Sequence, residues 1–123
     1  MNKKIRFVAS AFIGLHGLVH LMGAAVYLKL AEIEGLEYKT ALLWGRWDLG
    51  GTGIMVFGGL WLVSVIGFLA AGIAMIKNYK KWQCLLAGAA SLSLLLTGLD
   101  WSSAYTGFII NLAILLAVSL YKE

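Results

Sequence analysis

The sequence predicts an all-α membrane protein, a bundle of four transmembrane helices with both termini cytoplasmic. Three observations carry that prediction. The 123 residues are 61% hydrophobic and 13% charged, whereas a soluble domain has about a quarter of its residues charged. The apolar residues gather into four long blocks, over about 7–30, 51–76, 82–99 and 106–121. The basic residues cluster on alternate sides of those blocks.

A spanning helix needs about 20 mainly apolar residues. The first two blocks meet that length, and the last two reach it by extending into their flanks. None of the blocks alternates with the two-residue period of a membrane barrel, and a lone strand leaves its backbone unpaired in lipid. There is no proline, so any bend must come from glycine or from inserted polar groups. No polar linker interrupts the pattern, so residues 1–123 read as one integral membrane domain.

Lys3, Lys4, Arg6, Lys77, Lys80, Lys81 and Lys122 lie before the first block, between the second and third, and after the fourth. Lys29, Lys39 and Arg46 lie in the opposite gaps with Glu32, Glu34, Glu37, Asp48 and Asp100. By the positive-inside rule the termini face the cytoplasm, in the cell membrane. Trp44, Trp47, Trp101 and Tyr105 then mark the outer interface, and Tyr79, Trp82 and Tyr121 the inner one. The net charge of +4 is accounted for by this asymmetry and implies no nucleic acid. The basic start and the small residues near 23–25 resemble a secretory signal. The length of the apolar run favours an uncleaved first span.

The stretch HGLVHLMG places the two histidines, His16 and His20, in the middle of the first span. Four residues apart, they share one helix face with Ile13, Gly23, Ala24 and Tyr27. An ionisable group at that depth normally faces the bundle interior or a wet cavity, and the apolar surroundings favour the neutral imidazole. Ser64, Ser91 and Ser93 lie at matching depth on the second and third spans, with Thr97, Asp100 and Asn111 progressively farther out. Joined to Arg46 and Asp48, these residues outline an outward-opening polar cleft ending at His16 and His20. Interhelical hydrogen bonding is the competing role, and for the serines the favoured one. Ser10, Gly14 and Gly17, and likewise Ala87 and Ser91, are small residues suited to close helix contact.

In LLWGRWDLGG, residues 42–51, the glycines permit tight turns before the second span. Asp48 suits a cap for that helix, and Arg46 is a candidate to pair with Asp48 or Asp100. Taken in order, HGLVHLMG, GRWDLGGTGI, GGLWLVSVIGF and DWSSAYTGFIINLAIL resemble an uncharacterised family of small bacterial four-span membrane proteins. That family reads HGLxHLxG, GRxDxG, LWLxxxxGF and WxxxxxGxxxNLxIL, and is loosely DoxX-like in architecture. The resemblance implies the four-span fold and supplies no function. Many of its members carry an acid and a base where this chain has Ser103 and Tyr105.

The site residues selected are therefore His16, His20, Arg46, Asp48, Asp100 and Asn111, lining a cleft for a small ligand, an ion or a partner. Two other readings use the same histidines: a proton-coupled transporter, or a metal or haem protein with His16 and His20 as ligands. HxxxH supplies two ligands on one face, whereas zinc takes about four. The single cysteine, Cys84, excludes an internal disulfide and a dithiol relay within the chain. No Ser-His-Asp set or pair of intramembrane acids points to an enzyme. The partners implied are the lipid bilayer and either a second copy or another membrane subunit.

Overall fold

The computed structural model describes residues 1–122 and is helical apart from one short hairpin. Helix α1 spans Lys3–Tyr27, α2 Gly50–Ile76, α3 Trp82–Leu99 and α4 Trp101–Leu120. Each is long and apolar enough to cross a membrane. Strands β1 (Ala41–Leu42) and β2 (Trp47–Asp48) pair antiparallel in the segment between α1 and α2.

The helices differ from the apolar blocks mainly at their ends. Helix α1 begins four residues earlier than its block because the Asn2 side chain accepts a hydrogen bond from the Ile5 amide at 2.9 Å. That bond caps the first turn. The helix stops at Tyr27, where Leu30 N donates to Ala25 O and Lys29 N to Val26 O. This paired closure requires a left-handed residue, here Lys29 at φ 56°. Helix α2 closes in the same way through Asn78 at φ 55°, with Tyr79 N donating to Ala74 O and Asn78 N to Met75 O. Asparagine tolerates that conformation better than lysine does. Lys29→Gly is therefore expected to stabilise the fold by about 0.5–1 kcal/mol, offset in part by loss of the lysine ammonium over the Tyr38 ring, 4.7 Å from its centroid. Denaturant titration in detergent checks the sign.

Helix α4 starts five residues before its block. Asp100 ends α3 and opens α4 at once: its carbonyl accepts from Ser103 N and Ala104 N, at 3.0 and 2.9 Å. A kink at Ala104 (φ −134°, ψ 20°) follows in place of a loop. Asp48 accepts from the Gly50 amide at 2.9 Å at the start of α2. That amide, and after it the Thr40 hydroxyl, hold the Asp48 carboxyl below its ordinary range. Its contribution is complete above the ordinary carboxylate pKa of about 4 and is lost as pH falls through the lowered value.

Packing follows chain order: α1 on α2, α2 on α3, α3 on α4. The α1–α2 contact is made through glycines. A Cβ built at Gly17 would lie 2.5 Å from Phe68 Cβ, and one at Gly23 would lie 2.8 Å from the Trp61 ring. From the α2 side, a Cβ at Gly58 would lie 2.9 Å from Tyr27 Cβ. Such contact suits a membrane, where dispersion between closely approaching helices replaces the hydrophobic effect. The first and last helices do not pack closely, and a groove runs between them.

Two apolar clusters fill the interior. One, toward the termini, centres on Phe68, Trp82 and Leu86. The other, toward the 28–49 segment, centres on Tyr27, Ile54, Trp61 and Leu96, with Leu42 of the hairpin buried in it. Leu43 N donates to Leu99 O at 3.1 Å and ties the hairpin to the end of α3.

Candidate functional site

A buried polar layer separates the two clusters, and every helix contributes to it: His16 and His20, Ser64, Ser93 with Thr97, and Asn111. The predicted α1 face is correct in detail, since Ile13, His16, His20, Gly23, Ala24 and Tyr27 are all buried. Asn111, expected nearer the outer end, lies in this layer. The earlier start of α4 puts it ten residues into a 20-residue helix.

Side-chain hydrogen bonds join the layer except at Ser64, whose hydroxyl is buried without a partner. His16 Nε2 lies 2.9 Å from Asn111 Oδ1, and Asn111 Nδ2 donates to Ser93 Oγ at 2.6 Å. Ser93 Oγ also bonds His20 Nε2, and His20 Nδ1 lies 2.8 Å from the His16 carbonyl. Thr97 Oγ1 donates to the Ser93 carbonyl at 2.7 Å.

The proton positions follow from what each atom can do. A carbonyl only accepts, so His20 donates through Nδ1 and, as a neutral ring, accepts at Nε2. Ser93 supplies that proton and therefore accepts from Asn111 Nδ2. Asn111 Oδ1 is then the acceptor that His16 Nε2–H requires. Turning the amide over would ask Ser93 to donate one proton to two acceptors. The ring of bonds closes with both imidazoles neutral and in opposite tautomers, His16 protonated at Nε2 and His20 at Nδ1. Nitrogen-15 NMR of the labelled imidazoles at pH 7 should resolve one ring of each kind; two rings of the same tautomer would refute the network.

Aromatic rings hold the imidazoles in place. Phe68 lies edge-on to His16 with centroids 5.0 Å apart, and Trp61 lies 5.2 Å from His20. The network leaves His16 Nδ1 as an acceptor with no protein partner. It belongs to the wall of a cavity of about 310 Å³ between α1 and α4, lined also by His20, Trp61, Thr97 and Gly107. Residues 34–36 and Ser103 bound this cavity toward the loop end. Trp61 is 6% exposed, and its indole Nε1 is buried without a hydrogen-bond partner.

A second polar set lies beside the cavity mouth. Asp100, 2% exposed, accepts from the Tyr27 hydroxyl, and Lys39 Nζ lies 2.7 Å from Asp100 Oδ1. Lys39 also donates to Ser103 at 2.6 Å. One lysine of the 28–49 segment thus ties that segment to the α3–α4 junction.

Of the residues selected from sequence, His16, His20 and Asn111 meet in one network, and Asp100 joins Tyr27 and Lys39 instead. Arg46 and Asp48 are exposed on the hairpin and line no part of the cavity. The tie from Leu43 to α3 and the Asp48–Gly50 cap hold that hairpin outside the cleft. Asp48 takes the capping role, and the pairing of Arg46 with Asp100 is replaced by that of Lys39. Ser91, grouped with Ser93 by depth, is exposed on the other side of α3. Lys39 and Trp61 were not selected. Lys39 lies in a polar loop where a lysine gives no sign of a buried partner, and Trp61 gives no signal apart from an indole placed mid-span.

As metal ligands the histidines fit poorly. Three of their four ring nitrogens are engaged within the protein, and no group of three or more His, Cys, Asp or Glu forms among the described residues. Fold and site together define a bundle of four helices, each long and apolar enough to span a membrane, with a histidine-floored cavity between the first and last. Comparisons with family models, curated proteins and solved structures give no match.

Proposed function

We propose that this is a membrane-embedded binding protein of the cell membrane, whose α1–α4 cavity holds a small uncharged ligand against His16. The observation that carries the reading is the closed network. It engages Ser93, Asn111, both ring nitrogens of His20 and Nε2 of His16, and leaves His16 Nδ1 as an acceptor in the wall of a cavity large enough for a small molecule. An acceptor held open at a cavity wall serves a ligand donor and adds nothing to the packing of the helices.

The termini are cytoplasmic in this proposal, on the strength of the lysine asymmetry, so the cavity opens outward beneath residues 34–36. Two measurements test it. In a Cys84→Ser background, a cysteine at Thr106, on the cavity rim, reacts with a membrane-impermeant thiol reagent added to intact cells. Reaction only after the membrane is opened would reverse the orientation. A short alcohol, 3-methylbut-2-en-1-ol, should shift the His16 Nδ1 resonance of the protein in detergent and leave the His20 nitrogens nearly unmoved. If His16 stays unmoved at saturating alcohol, the cavity is not a binding site.

A further inference from the structure

The groove between α1 and α4 continues past the histidine cavity. Ile110 lines both that cavity and a second, lower one of about 760 Å³. The lower walls are apolar: Phe12 and Val8 on α1, Ala113 and Ala117 on α4, with Trp82 and Leu86 at the back. Phe12, Val8, Ala113 and Ala117 are exposed, so this part of the groove faces lipid along its side. From Ile110 to Tyr121 it runs about 16 Å along the helix axis at 1.5 Å per residue. The upper part carries the His16 Nδ1 acceptor, with the Trp61 ring also in its wall. His16 and Trp61 are 8% and 6% exposed, so both groups lie inside the bundle.

Charge restricts what fits. The one formally charged residue in the wall of the upper cavity is Glu34, at the loop end, and the nearby Lys39 is held by Asp100 and Ser103. A phosphate or carboxylate head would be desolvated there with no cation to receive it, which is strongly unfavourable. An ammonium would meet no acid at the depth of the imidazoles. A hydroxyl carries no charge and can donate to His16 Nδ1. The exposed side of the apolar groove beneath is open to a ligand from the hydrocarbon and supplies a bed for its chain.

From this we infer that the ligand is an uncharged single-chain lipid with a hydroxyl-bearing head: the head in the histidine cavity, the chain along the α1–α4 groove, and entry sideways from the bilayer. The inference rests on the binding role proposed above and adds the chemical class.

The test uses the full-length protein in phosphatidylcholine nanodiscs with farnesol, a 15-carbon alcohol. Its carboxylic acid and primary amine counterparts serve as charged controls, and 3-methylbut-2-en-1-ol as a head without a chain. Binding is read by native mass spectrometry and by the His16 Nδ1 resonance. Farnesol is expected to bind and to shift that resonance, with the acid and the amine binding at least about tenfold more weakly. Ala117→Trp fills the exposed groove; it should abolish the advantage of farnesol over the short alcohol and leave binding of the short alcohol unchanged. Equal binding of the charged analogues, or no effect of Ala117→Trp on farnesol, overturns the lipid assignment while short-alcohol binding still upholds the cavity. If neither alcohol shifts His16, the binding role itself falls. The analogue series on the unaltered protein decides the matter even if a variant misfolds.

Discussion

Lys39→Met is expected to lower the stability of the protein in detergent by about 2–4 kcal/mol, although Lys39 sits in a surface segment. Its ammonium lies 2.7 Å from a carboxylate that is 1% exposed, while Lys39 itself is 29% exposed. Breaking a fully buried pair costs about 3–5 kcal/mol, because the remaining charge is left uncompensated. The partial exposure of Lys39 reduces that figure through solvent screening, and the Tyr27 hydroxyl continues to donate to Asp100. The penalty belongs to the stranded carboxylate rather than to the lost lysine. Lys39→Met combined with Asp100→Asn should therefore be clearly more stable than Lys39→Met alone. Chemical unfolding of the three variants forms a partial cycle. Equal stability of the single and double variants would show that the penalty does not lie with the stranded carboxylate.

That latch also marks where sequence reading stops. The four helices were legible because backbone satisfaction in lipid leaves so few alternatives, and block length with hydropathy is enough to find them. His16 and His20 were legible as interior groups because the expense of an imidazole at mid-span fixes which way its face must turn. Periodicity also correctly grouped them with Ile13, Gly23, Ala24 and Tyr27. Which polar residues on other helices meet them depends on helix rotation and register, and a one-residue shift turns a helix by about 100°. Ser93 and Ser91 differ by two residues; one completes the network and the other faces outward. An α4 that begins at residue 106 puts Asn111 too far out, and a turn as short as the one at Asp100 leaves no break in the hydropathy pattern that would show the earlier start. Arg46 and Asp48 attracted attention as charges beside glycines, but the hairpin that carries them is set by three consecutive left-handed residues, Leu43, Trp44 and Gly45. Only the glycine among these gives any hint of that geometry in sequence.

Gly17→Leu should be among the most damaging single changes in the chain, at about 3 kcal/mol or more, while Gly14→Leu one turn away should be nearly neutral. Both are glycines on the first helix, and composition alone treats them alike. A Cβ at Gly17 would sit 2.5 Å from Phe68 Cβ and 3.6 Å from the Val65 carbonyl; at Gly14 nothing lies within 4 Å. The clash is with the root of a fully buried side chain, so no rotamer change relieves it and α1 must move away from α2. Overpacking a well-packed interface costs about 1–3 kcal/mol per forced adjustment, occasionally more, and here dispersion along the whole α1–α2 contact weakens with the separation. The histidines should report the movement as well, since Phe68 lies against both rings, 5.0 Å from His16 and 5.3 Å from His20. Gly17→Leu should thus shift the imidazole resonances of both residues together with the loss of stability, whereas Gly14→Leu should shift neither. A destabilised Gly17→Leu with unchanged imidazole resonances would mean that α1 and α2 separate without disturbing the polar layer. In that case the histidine network, rather than the glycine contact, sets the spacing of the bundle.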